Sequence, residues 1–194
     1  MQRPFLIGIP GRKRAGKSTF ASAVSRVTPI SSISFAEPIR AMAAAFLRVG
    51  RFASQPTAAD LAELPDKEAS VDPARFPELT FRKLLQTLGT EWGRDTIDPD
   101  LWVLIALHRV AELIRTGHDC VIPDVRFINE AQAVKAAGGL VVRIVSTRGQ
   151  PDAHVSEAQL PEGLVDMFVE NDGPIADLEQ HAAAAVELAR RRAE

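Results

Sequence analysis

Apolar residues fall along this chain in two rhythms. Unbroken or nearly unbroken runs at residues 5–9, 30–35, 119–124, 140–145 and 165–169 have the length of short buried strands. Between them, apolar residues recur three and four apart, as on one face of a helix. Ile39, Met42, Ala43, Phe46 and Leu47 form one such face behind Pro38, which suits a first helical turn. Phe81, Leu84, Leu85 and Leu88 form a second, capped by Thr80, and the polar run 89–95 is expected to end it. Asp98-Pro99-Asp100 starts a third helix, over 101–115, apolar almost all round at its beginning and closed by Gly117. Helices over 129–137 and after Pro174 complete the series; the last carries Asp177 and Glu179 early and Arg190, Arg191 and Arg192 late, matching the helix dipole. Strands alternating with helices predict an α/β fold: a five-stranded parallel sheet, right-handed crossovers and helices on both faces. Residues 50–77 break both rhythms, with Pro56, Pro65, Pro73 and Pro77, and read as a mobile excursion with one helical turn around 57–64. It has a solvated or a substrate-covering role.

The first strand runs straight into Gly11-Arg12-Lys13-Arg14-Ala15-Gly16-Lys17-Ser18-Thr19, followed by a helix-compatible stretch. The spacing is that of a phosphate-cradling loop, G-x-x-x-x-G-K-[ST], in the strand–loop–helix context it requires. Polyphosphate oxygens need many close donors, and backbone N–H groups at a helix N-terminus supply them with a favourable dipole. Gly11 and Gly16 let the backbone turn and approach. Lys17 brings charge to the β- and γ-phosphates, and the Ser18 hydroxyl suits Mg²⁺.

Composition narrows the class. The 194 residues suit one domain with a small insertion, and 46% of them are apolar, enough for a sizeable core. A net charge of −2 gives no whole-protein attraction to nucleic acid or an anionic membrane. The one cysteine, Cys120, lies in an apolar run and reads as a buried, inert thiol. With no signal peptide and no membrane-length apolar run expected, the reading is a soluble protein of a reducing compartment, hence cytoplasmic. In a parallel sheet, ligands gather at the carboxyl ends of the strands. Those ends hold the phosphate loop, Phe35, Asp124-Val125-Arg126, the loop carrying Arg148, and Asn171.

Seven motifs then follow in order: Gly11-x-x-x-Ala15-Gly16-Lys17-Ser18-Thr19, Phe35-Ala36-Glu37-Pro38-Ile39, Leu85-Gln86-x-Leu88-Gly89-Thr90-Glu91, Asp100-x-Trp102, Asp124-Val125-Arg126-Phe127-x-Asn129-Glu130, His154-x-Ser156-Glu157 and Asn171-Asp172-Gly173. The series resembles the phage-type deoxynucleoside monophosphate kinases, within the nucleoside monophosphate kinase fold. Ser18 stands where many such sequences have Asp, and Glu37 replaces an Asp. The resemblance implies a three-layer P-loop NTPase fold with strand order 2-3-1-4-5. It implies a single domain over 1–194, an acceptor-binding insertion over 37–97 and a lid over 146–160. The implied activity is transfer of the γ-phosphoryl group of ATP, with Mg²⁺, to a deoxynucleoside monophosphate. The implied partners are those two nucleotides, with no nucleic acid or membrane, in a monomer or homodimer.

The resemblance also sorts the residues. Gly11 to Thr19 would bind ATP phosphates. Lys17, Asp124, Arg126 and Arg148 would carry catalysis, since phosphoryl transfer asks mainly for alignment and charge neutralisation. Asp124 would hold Mg²⁺, directly or through water, or position the acceptor phosphate; the alternative is an N-cap. Arg126 suits a bidentate grip on the acceptor phosphate, or else an ion pair with Glu130. Phe35, Arg40, Gln86, Glu91, Arg94, Trp102, Asn129 and Glu130 complete the acceptor set. Phe35, Trp92 and Trp102 either stack on the base or pack in the core. Asn171 falls on the adenine side or serves turn chemistry, and Arg143, in its strand, is structural or supports the residues that touch a ligand. Two rivals remain: a dephospho-CoA kinase-like enzyme and a P-loop ATPase or switch. The Asp124-Val125-Arg126-Phe127 context disfavours the first. Arg126, where a water-activating group would stand, disfavours the second.

Overall fold

The computed structural model describes residues 3–12, 14–147 and 160–194. Along the chain the elements are β1 (Leu6–Pro10), α1 (Lys17–Val27), β2 (Ile30–Ser32), α2 (Glu37–Val49), α3 (Ala58–Glu63), β3 (Ser70–Asp72), β4 (Phe76–Thr80), α4 (Phe81–Gln86) and a π-helix (Thr87–Ile97). Then come α5 (Leu101–Arg115), β5 (Asp119–Val125), α6 (Ile128–Ala136), β6 (Leu140–Val145), a 3-10 turn (Glu162–Leu164), β7 (Met167–Glu170) and α7 (Ile175–Ala193). They fall into two compact units: Met1–Phe35 with Ile105–Glu194, and Ala36–Leu104.

The first unit holds a five-stranded sheet in the order β2-β5-β1-β6-β7, every neighbouring pair parallel. Numbered along the whole chain this is 2-5-1-6-7 rather than 2-3-1-4-5, because a hairpin absent from the sequence reading takes the numbers three and four. Strand alternation sends side chains to opposite faces. Ile7, Ile9, Val121, Val142, Ile144 and Val169 share one buried cluster with Phe20, Ala23 and Val24 of α1 and Leu178, Ala182 and Val186 of α7. Burying each of the larger side chains stabilises the fold by about 1.5–3 kcal/mol. Gly8 faces the other way, where a Cβ would come within 3.1 Å of the Val134 methyls of α6. Glycine at this point lets α6 lie close on β1.

One polar clamp supports this unit away from the strand exits. Asp166, just before β7, accepts hydrogen bonds from Lys135 at 2.6 Å, from Arg192 at 2.9 Å and from the Val141 amide at 2.9 Å. Burial pushes this carboxyl up, but the bonds from Arg192 and Lys135, the amide and the Arg192 charge outweigh it and bring its pKa down to about 2.

The second unit corrects two expectations. Residues 50–77 are packed structure: Phe52, Leu61 and Val71 join Ala43, Leu47, Phe81 and Leu84 in a buried cluster. Thr57 caps α3, its hydroxyl accepting from the Asp60 amide while the Asp60 carboxylate accepts from the Thr57 amide at 2.9 Å. β3 and β4 pair antiparallel. The tract contributes one large core residue about every ten positions, so no local period reveals it. The helix begun at Phe81 does not end at Gly89 either; it continues as the π-helix to Ile97. Trp102 explains this. Its indole N–H donates to the Gly89 carbonyl at 2.7 Å, and a Cβ on Gly93 would collide with the same ring.

Candidate functional site

β1 is buried along its whole length and delivers the chain to Gly11. A Cβ there would sit 2.9 Å from the Ile144 carbonyl oxygen, so the loop leaves the sheet pressed against the exit of β6. Gly16 closes the loop with φ +99, in the left-handed region that favours glycine. Ala15, between them, is buried, and its amide donates to the Arg12 carbonyl at 3.1 Å. α1 starts at Lys17 with no acidic residue in its first turn, so its positive end is uncompensated where an anion would lie. The Lys17 ammonium folds over the loop, donating to the carbonyls of Gly11 and, at 2.8 Å, Arg12. Ser18 and Thr19 lie exposed in that first turn, and Arg12 and Arg14 are exposed on the loop. Lys13 lies outside the described residues.

Beside the loop stands the exit of β5, since Pro10 pairs with Val125. Asp124 precedes it. Its carboxylate accepts the Ser34 hydroxyl at 2.6 Å and the Phe35 amide at 3.2 Å. The turn after β2 therefore holds the carboxylate in place. Phe35 itself is 3% exposed; in place of base stacking the structure gives its ring a core position and its amide the task of holding Asp124.

Arg126 is exposed at the start of the next turn. Its amide and that of Phe127 both donate to Glu130, at 2.7 and 3.0 Å. Glu130 is 2% exposed. It is a cap on α6 rather than an acceptor contact, because its carboxylate is turned inward onto backbone donors. That cap fixes the backbone of Arg126 and leaves the guanidinium outside. Asn129, in the first turn of α6, accepts from the Glu130 amide at 3.0 Å.

A cavity of about 320 Å³ opens where these exits meet, bounded among others by Gly11, Arg12, Arg126, Arg143, Leu160 and Phe168. Arg143 was expected to be structural or to support the residues that touch a ligand. It projects from β6 on the face opposite Val142 and Ile144, donates to the Leu160 carbonyl and lies 5.7 Å from the centre of the Phe168 ring. Burial lowers its pKa while the Glu162 charge opposes that shift, and a guanidinium stays cationic regardless. Its signal in the sequence was a lone cation in the carboxyl half of an otherwise apolar strand.

Asn171 follows β7. Its side-chain amide donates to the Ala15 carbonyl at 2.9 Å and its backbone amide to the Val145 carbonyl at 2.8 Å. In the first unit the fold thus brings together the phosphate loop, Asp124, Arg126, Arg143 and Asn171. Arg148, His154 and Glu157 lie outside the described residues, as does most of the expected lid.

The second unit carries the remaining expected acceptor residues. Arg40 is half-buried in the first turn of α2, and Gln86 ends α4. Glu91 and Arg94 ride on the π-helix, where Arg94 donates to the Pro99 carbonyl at 3.3 Å. Trp102 is 1% exposed. Its ring is spent on packing and its N–H on Gly89, so it shapes the π-helix rather than offering a face to a base. Trp92, 40% exposed, stands 6.2 Å from it, centre to centre.

A glycine loop joining the central strand to a helix, with an acid and a cation at the neighbouring strand exit, defines a P-loop protein, and solved structures place its fold among the kinases. The chain is similar to dephospho-CoA kinase from Campylobacter jejuni, with 15% identity over 96% of this chain and 98% of that one and a TM-score of 0.53. It is similar too to a sugar kinase from Janibacter sp. HTCC2649, with 11% identity over 98% and 99% and a TM-score of 0.51.

The chain belongs to the deoxynucleotide monophosphate kinase family, whose family model matches residues 61–182. The deoxynucleotide monophosphate kinase of Enterobacteria phage T4 is 33% identical over 102 residues, 51% of this chain and 42% of that protein. That of Escherichia phage RB69 is 31% identical over 51% of this chain and 41% of its own. These matches thus span about two fifths of the length of both phage relatives. A relative from Acanthamoeba polyphaga mimivirus, named provisionally for the same activity, is 32% identical over 80% of this chain and 81% of its own.

Proposed function

We propose that this protein transfers the γ-phosphoryl group of ATP to the 5′-phosphate of a deoxynucleoside monophosphate. The observation that carries the reading is the pairing of the two exits: the phosphate loop on β1 and Asp124-Val125-Arg126 on β5, held side by side by the Pro10–Val125 register. Family membership supports a nucleotide acceptor over a dephospho-CoA acceptor or a switch ATPase.

Each residue has a physical task. The amides of the loop and the start of α1 bind the donor phosphates, and Lys17 swings from its own loop carbonyls to their β- and γ-oxygens. Arg126, its backbone locked by Glu130, extends its guanidinium to the acceptor phosphate, where the planar fork suits two oxygens. Two anions must approach end to end, so cations from separate segments are needed to offset their repulsion. Arg148, by family resemblance, adds another. Arg40, Gln86, Glu91 and Arg94 are the acceptor-side candidates of the second unit.

Mg²⁺ prefers hard oxygen donors and few protein ligands. The Ser18 hydroxyl and the Asp124 carboxylate fit that demand and would hold the ion. When bound it would neutralise charge on the β- and γ-phosphates. Among the described residues no helix is long and apolar enough to cross a membrane. The buried Cys120 thiol, pushed up to about 11 by burial and by Asp119, is inert, and we place the activity in the cytoplasm.

A coupled assay of ADP release tests the reading. Turnover should require an added deoxynucleoside monophosphate, and a screen of the four dNMPs and their ribose counterparts identifies the acceptor. ADP release at the same rate without any acceptor would overturn it. Arg126→Ala should raise the acceptor KM and lower kcat; a change confined to the ATP KM would remove its acceptor role.

A further inference from the structure

We propose that Asn171 is a positioning residue for the phosphate loop, and that with Asp172 it forms a brace setting how tightly the loop takes a polyphosphate. The inference deepens the phosphate-loop reading and rests on it. A loop that turns its N–H groups inward toward an anion turns carbonyls outward, and each buried carbonyl then needs a donor. Ala15 is 1% exposed, and the side-chain amide of Asn171 is the donor its carbonyl receives, at 2.9 Å. The approach depends on the next residue: a Cβ on Gly16 would collide with the Asn171 amide nitrogen. Gly16 and Asn171, far apart in sequence, therefore specify one another.

The same turn grips the floor on which the other shoulder of the loop rests. Gly11 lies against the Ile144 carbonyl. One residue further along β6, the Val145 carbonyl accepts the Asn171 amide at 2.8 Å. Beyond that, the Asp172 carboxylate takes the Ser146 hydroxyl at 2.7 Å and the Thr147 amide at 3.0 Å. Two consecutive side chains thus tie the phosphate loop to the exits of β6 and β7. In this role Asn171 acts on the donor phosphates through the loop rather than by reading the adenine.

Tripolyphosphate, which has no base, separates the two roles. The full chain and Asn171→Ala are titrated by calorimetry with ATP and with inorganic tripolyphosphate. The variant should lose about tenfold in affinity for both, the loss expected when a buried carbonyl is left without its donor. Its KM for the dNMP should stay within twofold, and amide exchange at residues 15–19 of the ligand-free protein should quicken while the central strands stay protected. Should Asn171→Ala not fold, Asn171→Asp, of the same shape, carries the test, with loop exchange in the ligand-free state as the readout that charge repulsion on phosphate does not move. Loss of ATP affinity with unchanged tripolyphosphate affinity would overturn the brace in favour of base reading. Equal loss of dNMP affinity would overturn it in favour of general damage. Wild-type protein that binds neither probe would overturn the phosphate-loop reading itself, and the brace with it.

Discussion

The carboxylate of Asp124 is tethered to Ser34, whose hydroxyl donates to it at 2.6 Å. An exit of one strand thereby holds the carboxylate of its neighbour. A tethered carboxylate keeps one orientation without reorganisation during the reaction, which is where electrostatic catalysis gains most. Asp124→Asn should lower kcat by about a hundredfold or more and Ser34→Ala by about three- to tenfold. Steady-state kinetics at saturating nucleotides check both. Equal, small losses would show that the tether has no catalytic purpose.

Lys17 donates to the carbonyls of its own loop at the N-terminal end of α1, where a cation opposes the helix dipole. Lys17→Ala should therefore leave the melting temperature nearly unchanged and reduce turnover by at least about a thousandfold. Retained kcat would remove the donor-phosphate assignment.

Asp166 should contribute to stability in acid. Its pKa lies at about 2 in the folded chain, below its ordinary value, so the charged form is the one the fold favours. That stability is fully present above the ordinary carboxylate range and is lost as pH falls from about 4 toward 2. Asp166→Asn should cost on the order of 1–2 kcal/mol at pH 7 and flatten this acid limb. Urea unfolding at pH 7 and at pH 3 measures both effects; parallel pH profiles for the two proteins would refute it.

The π-helix depends on a tryptophan outside it. Trp102→Phe removes the N–H bond to the Gly89 carbonyl and should destabilise the protein by about 1–3 kcal/mol. Gly93→Ala forces a methyl into the indole and should cost at least as much. Far-UV circular dichroism and thermal melting report both. If each variant melts as the wild type does, the π-helix has another cause.

Much of the site was legible because its chemistry is local. Gly11, Gly16, Lys17 and Ser18 lie within one turn of chain, and spacing alone identifies them. Asp124 and Arg126 were read at a strand exit, and the structure sets that exit beside the loop. For Phe35 and Trp102 the structure takes the core alternative, and Glu130 turns inward as a cap: residue type shows that a ring or a carboxylate can meet a ligand, not whether folding has already enclosed it. Arg143 was left between a structural and a supporting role, and its place on the cavity wall follows from strand alternation, which decides the face a side chain takes.

By itself the sequence determined the alternation of strands and helices, the phosphate loop and the strand exits that carry charge, since each depends on neighbours a few residues apart. Only the tertiary structure decided that residues 50–77 pack, that the helix after Phe81 widens into a π-helix, and that Asn171 supports Ala15. Those outcomes rest on contacts between residues distant along the chain. Such contacts leave no period to read, and their free energy exists only once the backbone has brought the partners together.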